Sequence, residues 1–361
     1  MLPTRKGVGQ SQVALPPGPW PRMIDFLVQR FPAIDAQEWA ARMARQEIID
    51  EHGNSICPSD AYRAPGRLFY YRDVPNERAN PAQETVLFQD ALLVVADKPH
   101  GLPVTPSGRH LQETLLVRLR NRLGIDQLTP LHRIDQDTAG LVLFAKQPAM
   151  VHHYAAMFAQ RGVLKTYQAI APYRADLRFP VERHSVLVSA AHFMQMREWQ
   201  SGDAPARGAP AHTTVQLLEA RGALARYQLT PHSGRRHQLR VHMCALGLPI
   251  VGDRIYPILQ PEGSADPAHP LQLLAQRLVF TDPVTGEPRE FHSQLALELP
   301  RGCGLRLRAR RERMPSQTDS EGAKCEDHQP FPAQNQRDRQ PVDRLGRRHA
   351  LGCAHLAADR R

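Results

Sequence analysis

The stretch Pro130-Leu131-His132-Arg133-Ile134-Asp135-Gln136-Asp137-Thr138-Ala139-Gly140-Leu141-Val142-Leu143-Phe144-Ala145-Lys146 sets a charge-dense loop directly before an unbroken apolar run, Leu141 to Ala145. A run of that length and composition predicts a strand buried on both faces. The loop that feeds it is therefore pinned to a core. A carboxylate and a guanidinium held at the rim of a sheet sit where functional groups are commonly carried, on a loop fixed by a rigid scaffold. The same residues also suit a plain solvated turn, because charged loops before strands are common.

Working outward, Val86-Leu87-Phe88 and Leu92 to Ala96 read as strands around a Gln89-Asp90 turn, and Lys98-Pro99-His100-Gly101 ends the second of them. Leu111 to Leu123 predicts a helix with Leu116, Leu119 and Leu123 on one face and Gly124 as its terminator. Its Arg118, Arg120 and Arg122 read as a solvated face or as phosphate contacts. Beyond the central stretch, Pro148 to Arg161 predicts a helix and Lys165 to Ile170 a strand. Residues 172–212 read as irregular, with a flexible loop from Ser201 to Pro210. Thr214 to Leu218 and Ala225 to Thr230 predict a hairpin. A helix from Arg236 to Leu246 follows, with Leu239, His242, Met243 and Leu246 inward and Arg236 and Arg240 one turn apart on another ridge. Leu271 to Phe280 is the last predicted strand.

The chain is 361 residues long, more than one average domain, and its 42% apolar content is ordinary for a globular protein. No apolar run approaches the about 18 residues that a membrane helix needs. The start has no secretory pattern, and five cysteines without a CxxC pair suit a reducing compartment, so the cytoplasm is the expected location. Of the 46 Lys/Arg and 36 Asp/Glu, 14 and 8 fall within residues 301–361, which leaves 32 and 28 across residues 1–300. The folded part is thus only mildly basic, and any nucleic-acid footprint there must be a local patch.

Composition divides the chain into a flexible arm at 1–19, a small N-terminal module at 20–75, a linker at 76–85, a main domain at 86–300 and a basic, disordered tail at 301–361. The module carries two predicted helices, Arg22 to Phe31 and Asp35 to Gln46, then short strands within Ile48 to Ile56 and at Leu68 to Arg72. In the tail, Cys325, His328, His349, Cys353 and His355 match no standard zinc-finger spacing.

The central stretch resembles the HRLDxxTSGLLLFAK signature of the RluA-type pseudouridine synthases, with Asp135 at the position of that family's catalytic aspartate. Lys98 to Val104 resembles the family's KPxGLxV motif, and Ser233 to His242 its TGRxHQxRVH motif. Lys165 to Ile170 is similar to its KxYxAxV segment, Leu248 to Tyr256 to its GHPIxGDxxY turn, which reads as structural, and Leu271 to Phe280 to its LxLHAxxLxF segment. The resemblance spans Val86 to Leu299. The N-terminal module resembles, with little strict identity, the small RNA-binding module that precedes the catalytic domain in many of these enzymes. The departures are Ile134 for Leu, Ala139 for Ser and Leu274 for His.

What the resemblance implies is an α+β fold, with a mixed, largely antiparallel β-sheet flanked by helices, and an RNA pseudouridine synthase acting on rRNA or tRNA. It implies no metal and no cofactor, and RNA as the partner; the short apolar runs exclude a membrane span, and a monomer is expected. Asp135, Tyr167 and Arg240 are then the catalytic set: Arg240 pairs with the carboxylate, and Tyr167 offers the everted base a face to stack on. Arg133, His132, Lys98, Arg235 and His237 are the expected RNA contacts. Two other readings compete. One is a non-catalytic RNA-binding or ribosome-assembly factor on the same fold; the other is a metal-dependent hydrolase built from His132, Asp135, Asp137 and His237.

Overall fold

The computed structural model describes residues 4–299 apart from 75, 202–207, 262 and 265. The expected tail with its cysteines and histidines lies outside the described residues, as does most of the loop expected from Ser201 to Pro210.

The alternation in Gln12-Val13-Ala14-Leu15 makes a strand where a flexible arm was expected, which corrects the 1–19 boundary. This strand, β1 (Ser11–Leu15), pairs antiparallel with β3 (Gly66–Tyr70), which also pairs with β2 (Ile48–Asp50). Val13 and Leu15 turn inward against α1 (Met23–Arg30) and α2 (Ala36–Ala44), so their burial outweighs the Pro- and Gly-rich flanks. Asp35 caps α2 by accepting the Glu38 amide, and Trp39 fills the centre of this cluster with no exposed surface.

The main sheet begins with β4 (Thr85–Gln89) and β5 (Leu93–Lys98), then α3 (Leu115–Leu123), β6 (Thr129–Pro130), β7 (Ala139–Ala145), α4 (Val151–Ala159) and β8 (Val163–Pro172). It continues with β9 (Val181–Ser189), β10 (Met196–Glu198), β11 (Ala209–Arg221), β12 (Leu224–Pro231), α5 (Gln238–Ala245), β13 (Leu273–Thr281) and β14 (Pro288–His292). The strand order is β10-β9-β11-β12-β8-β13-β7-β5-β4, with β14 on β13 and β6 on β7. Pairing is antiparallel except between β13 and β7, so the mixed, largely antiparallel α+β fold is the one observed.

All seven residues of β7 are buried, because α3 covers Val142 and Phe144 on one face while α4 covers Leu141 and Leu143 on the other. Farther along the sheet, α5 packs Leu239 and Met243 against Tyr227 and Leu229. The irregular segment expected at 172–212 instead holds β9, β10 and the start of β11. Their outer faces carry Glu, Arg and His, and β9 buries only Leu187 fully, so cross-strand pairing and not apolar patterning makes these strands. Of the arginines of α3, Arg118 and Arg120 are part-buried and engaged by the protein, while Arg122 stays exposed beside Glu84. Arg118 bonds the Ala82 carbonyl and Glu84, Arg120 bonds the Gly7 and Leu128 carbonyls, and Arg122 bonds the Glu84 carbonyl. Together they tie residues 82–84 and the N-terminal segment to the helix.

Candidate active site

The parallel contact between β7 and β13 places the site. Gly140 lies opposite Ala275, and Ala275 lies opposite Tyr167 on β8. One row across the sheet therefore carries Tyr167 to the loop that precedes β7, close enough for the Asp135 charge to act on the phenol. Burial, and then that charge, push the Tyr167 pKa above its ordinary value, so the ring presents a neutral hydroxyl. The approach of the strands depends on Gly140, whose φ is +107° and where a Cβ would stand 2.8 Å from both the carbonyl carbon and the amide nitrogen of Ala275.

Arg240, on the first turn of α5, is 2% exposed and reaches the same place from the other side. Its Nη1 donates to Asp135 Oδ2 at 3.3 Å. Its Nε and Nη2 donate to the two oxygens of Asp253 at 2.8 and 2.6 Å, a bidentate clasp that fixes the plane of the guanidinium. Asp253 is held in turn by the amides of Ile255 and Tyr256. Burial opposes the Arg240 charge, but the bonds and charge of Asp253, and then Asp135, outweigh it and raise the pKa above the usual guanidinium value. Arg240 thus stays a cation against a carboxylate that is itself 28% exposed toward the cleft.

The loop is latched from behind by the end of β5 and the segment that follows it. Lys98 Nζ donates to the Gln136 and Pro99 carbonyls at 2.8 and 2.9 Å, His100 Nδ1 meets the Asp137 carbonyl at 2.8 Å, and Gln136 Nε2 reaches the Gly101 carbonyl at 3.1 Å. A second ion pair, Arg254 to Asp137 at 3.4 Å, closes the far side. In front of the loop a cleft of about 1260 Å³ is lined by Arg133, Asp135, Tyr167, Arg235 and Arg240 among others.

Of the expected RNA contacts, Arg133 and Arg235 are exposed on the cleft wall, and His237 lies beside them with Nδ1 3.0 Å from the Tyr256 hydroxyl. Lys98 corrects the expectation: it has no exposed surface, and both its bonds go to backbone carbonyls, so it holds the loop and does not reach RNA. His132 is corrected in part. It borders the cleft, but its Nε2 accepts the Leu143 amide at 3.2 Å and its ring packs on Phe158; burial, and then Lys165, lower its pKa to about 3, which leaves it neutral. With those nitrogens engaged, His132, Asp135, Asp137 and His237 do not form a converging donor set among the described residues, and the hydrolase reading loses its ligands.

Sequence reasoning missed Asp253 and Gln238. Asp253 stood inside a segment read as a structural turn, where Gly-Asp is an ordinary turn signal. Gln238 ties the rim together: its Nε2 bonds the His212 carbonyl and Thr213, while its Oε1 accepts from Ser233 and the Arg235 amide.

The family model described as RNA pseudouridylate synthase matches residues 92–245. The dual-specificity RNA pseudouridine synthase RluA of Escherichia coli is 34% identical over 220 residues, which cover 60% of this chain and 96% of that protein. The chain belongs to the RluA-type RNA pseudouridine synthases. An uncharacterized RNA pseudouridine synthase of Synechocystis is 31% identical over 235 residues, 65% of this chain and 79% of that one. Among solved structures, human RNA pseudouridylate synthase domain containing 1 is similar, with 23% identity, a TM-score of 0.48, and coverage of 60% of this chain and 85% of that one. Membership makes this chain an RNA pseudouridine synthase, an isomerase, and answers the alternative of a non-catalytic factor.

In this pseudouridine synthase two departures from the family pattern meet. Ala139 and Leu274 are register partners across β7 and β13, and they pack in one apolar cluster with Ile170, Leu297 and Leu299.

Lys98 gives the synthase a measurable pH signature. Burial lowers its pKa to about 7, against the partial compensation of Asp137 and Asp135. Because the folded-state value lies below the about 10.4 of an unfolded lysine, holding the proton opposes folding at neutral pH, and that penalty fades as pH rises from about 7 to about 10. Over that window the wild-type unfolding free energy should rise, relative to Lys98→Met, with a slope of up to about 1.36 kcal/mol per pH unit. Urea titrations of both proteins at several pH values check this; parallel curves would refute it.

Proposed function

We propose that this enzyme isomerises uridine to pseudouridine in structured ribosomal or transfer RNA with Asp135 as its catalytic carboxylate. The observation that carries the reading is the Asp135 to Arg240 contact at 3.3 Å, made in a cleft that Tyr167 also lines. The reaction breaks the bond from ribose C1′ to uracil N1 and forms one from C1′ to C5; the C5 proton leaves and N1 takes one up, with no redox change. It calls for a carboxylate that remains ionised although part of its water has been removed. Arg240, an adjacent fixed cation, faces that charge and orients the carboxylate through its hydrogen bond. Asp135 is then available to attack the sugar or the base, or to stabilise and deprotonate the intermediate.

The target uridine must leave its stack to react, and Tyr167 gives the extruded base a flat neutral surface. Arg133 and Arg235, exposed at the rim, suit flanking phosphates. The proposal takes residues 86–300 as the catalytic domain, the N-terminal module as a further RNA contact, and the enzyme as a cytoplasmic monomer that needs no cofactor.

The test is to incubate the protein with tRNA and 23S rRNA made without modifications and to map pseudouridine by carbodiimide-stop sequencing. Conversion of one or a few uridines supports the reading and names the substrate; conversion of none would sink it.

Asp253 is expected to act as a positioning residue. Asp253→Asn should lower kcat by about 10²-fold with little change in KM, because the guanidinium loses the partner that aims it. Asp253→Glu should recover part of the loss. Equal effects on kcat and on thermal stability, with no recovery, would leave only a structural role.

A further inference from the structure

The proposed chemistry makes no use of a polar cluster on the outer strands of the sheet. His184 on β9 and His212 on β11 are direct cross-strand partners, and so are Glu182 and Thr214 one step along the same face. His232, just past β12, donates its amide to the His212 carbonyl at 2.9 Å and so extends the row sideways. The three imidazoles stack: His184 and His212 have centroids 3.8 Å apart at 16°, and His212 and His232 4.1 Å apart at 18°.

A carboxylate is fitted into the same edge. Glu182 bonds His212 Nε2 and accepts the Thr214 hydroxyl at 2.8 Å, and that hydroxyl lies 2.8 Å from His232 Nε2. The ligand atoms of Glu182, His184 and His212 all lie within 4.8 Å of one another. Tetrahedral zinc with bonds of about 2.0–2.2 Å needs its ligands about 3.4 Å apart, so binding turns these part-exposed side chains out of the stack to aim their nitrogens at one ion.

We propose that Glu182, His184 and His212 bind a zinc-class divalent cation, with water completing the shell and with Thr214 and His232 orienting the carboxylate from outside it. Two imidazoles and one carboxylate select borderline cations over Mg²⁺ and Ca²⁺, which prefer all-oxygen sites. A hydroxyl held to a liganding carboxylate is the kind of outer contact that sharpens such sites. The ion would fasten β9 to β11 at the edge of the cleft. The His212 amide already donates to Ser233 Oγ at 3.1 Å, and His232 and Ser233 both line the cleft wall that leads into α5. The site is thus a brace for the rim loop, and it stands independently of the role given to Asp135.

The experiment uses the full chain stripped with a chelator, titrated with Zn²⁺ against a fluorescent competitor and with Co²⁺ for its absorption spectrum. One equivalent of Zn²⁺ should bind at micromolar concentration or below, Mg²⁺ should not compete, and Co²⁺ should give a spectrum without thiolate charge transfer. His184→Ala/His212→Ala should weaken that equivalent by more than about 100-fold, and His232→Ala by about 10-fold. Zn²⁺ should raise the melting temperature of the wild type and not that of the double variant. Cys325→Ser/Cys353→Ser, which removes possible thiolate ligands in the tail, should bind as the wild type does. Unchanged binding in the double histidine variant, its loss in the cysteine variant, or no binding by the wild type overturns the proposal. The metal-free double variant should melt close to the metal-free wild type, because His184 is exposed and His212 half-exposed, and this separates lost ligands from a lost fold.

Discussion

Asp135→Asn should lower pseudouridine formation by about 10⁴-fold or more while leaving RNA affinity within about threefold. The amide keeps the size and shape of the carboxylate but cannot serve as an anionic nucleophile or base. The fold has little reason to respond. Asp135 is 28% exposed, and Arg240 keeps its two bonds to Asp253, so no buried charge is orphaned. The stability change should therefore stay within about 1 kcal/mol. Single-turnover assays on an RNA that the wild type modifies, beside filter binding and urea unfolding, separate the three quantities. Turnover within tenfold of the wild type would move the chemistry to another group.

Gly140→Ala should cost more than about 4 kcal/mol, enough to leave little folded protein. Its backbone sits at φ +107°, and the added methyl would overlap the Ala275 carbonyl, which belongs to a strand buried between β7 and β8 and has no room to retreat. Gly222 provides the control. It too has a positive φ, +62°, but nothing stands within 4 Å of the position a Cβ would take. Gly222→Ala should therefore show only the left-handed backbone penalty, about 1–2 kcal/mol. Soluble yield and urea midpoints of the two variants decide it, and similar losses for both would show that the strand contact tolerates a methyl.

The site was legible in the sequence where side-chain type and local order carry it. A charged loop before Leu141 to Ala145 marked the stretch from the residues themselves, whereas Asp135 within it, like Arg240 and Tyr167, was singled out only through resemblance, because a carboxylate in a charged loop, a lone Tyr in a strand or an Arg in a helix ordinarily solvates or packs. Asp253 was hidden, since its partner lies 13 residues away in sequence and its motif is also an ordinary turn. For Lys98 the sequence left open whether it holds RNA or the active-site loop, and only the fold, which buries it at the end of β5, reveals the two carbonyls that capture it. In the fold, β5 and β7 announced themselves by apolar runs. Strands β9 and β10 could not, because pairing holds them, β9 on β11 and β10 on β9, and such pairing leaves no periodic trace on polar faces. The short β1 was masked by the Pro and Gly around it.

Ala139 and Leu274 form a matched apolar pair. At these two positions the family pattern has Ser and His, which the register sets opposite each other in the buried seam between β7 and β13. Changing one alone would leave a lone polar group facing a methyl or an aliphatic side chain, at a cost of about 1–3 kcal/mol. Changing both restores a matched lining, so the two exchanges are expected to depend on each other. Relatives with an aliphatic residue at the position of Leu274 should then carry a small apolar residue at that of Ala139, and the two positions should covary across the family even though neither supplies a reacting group.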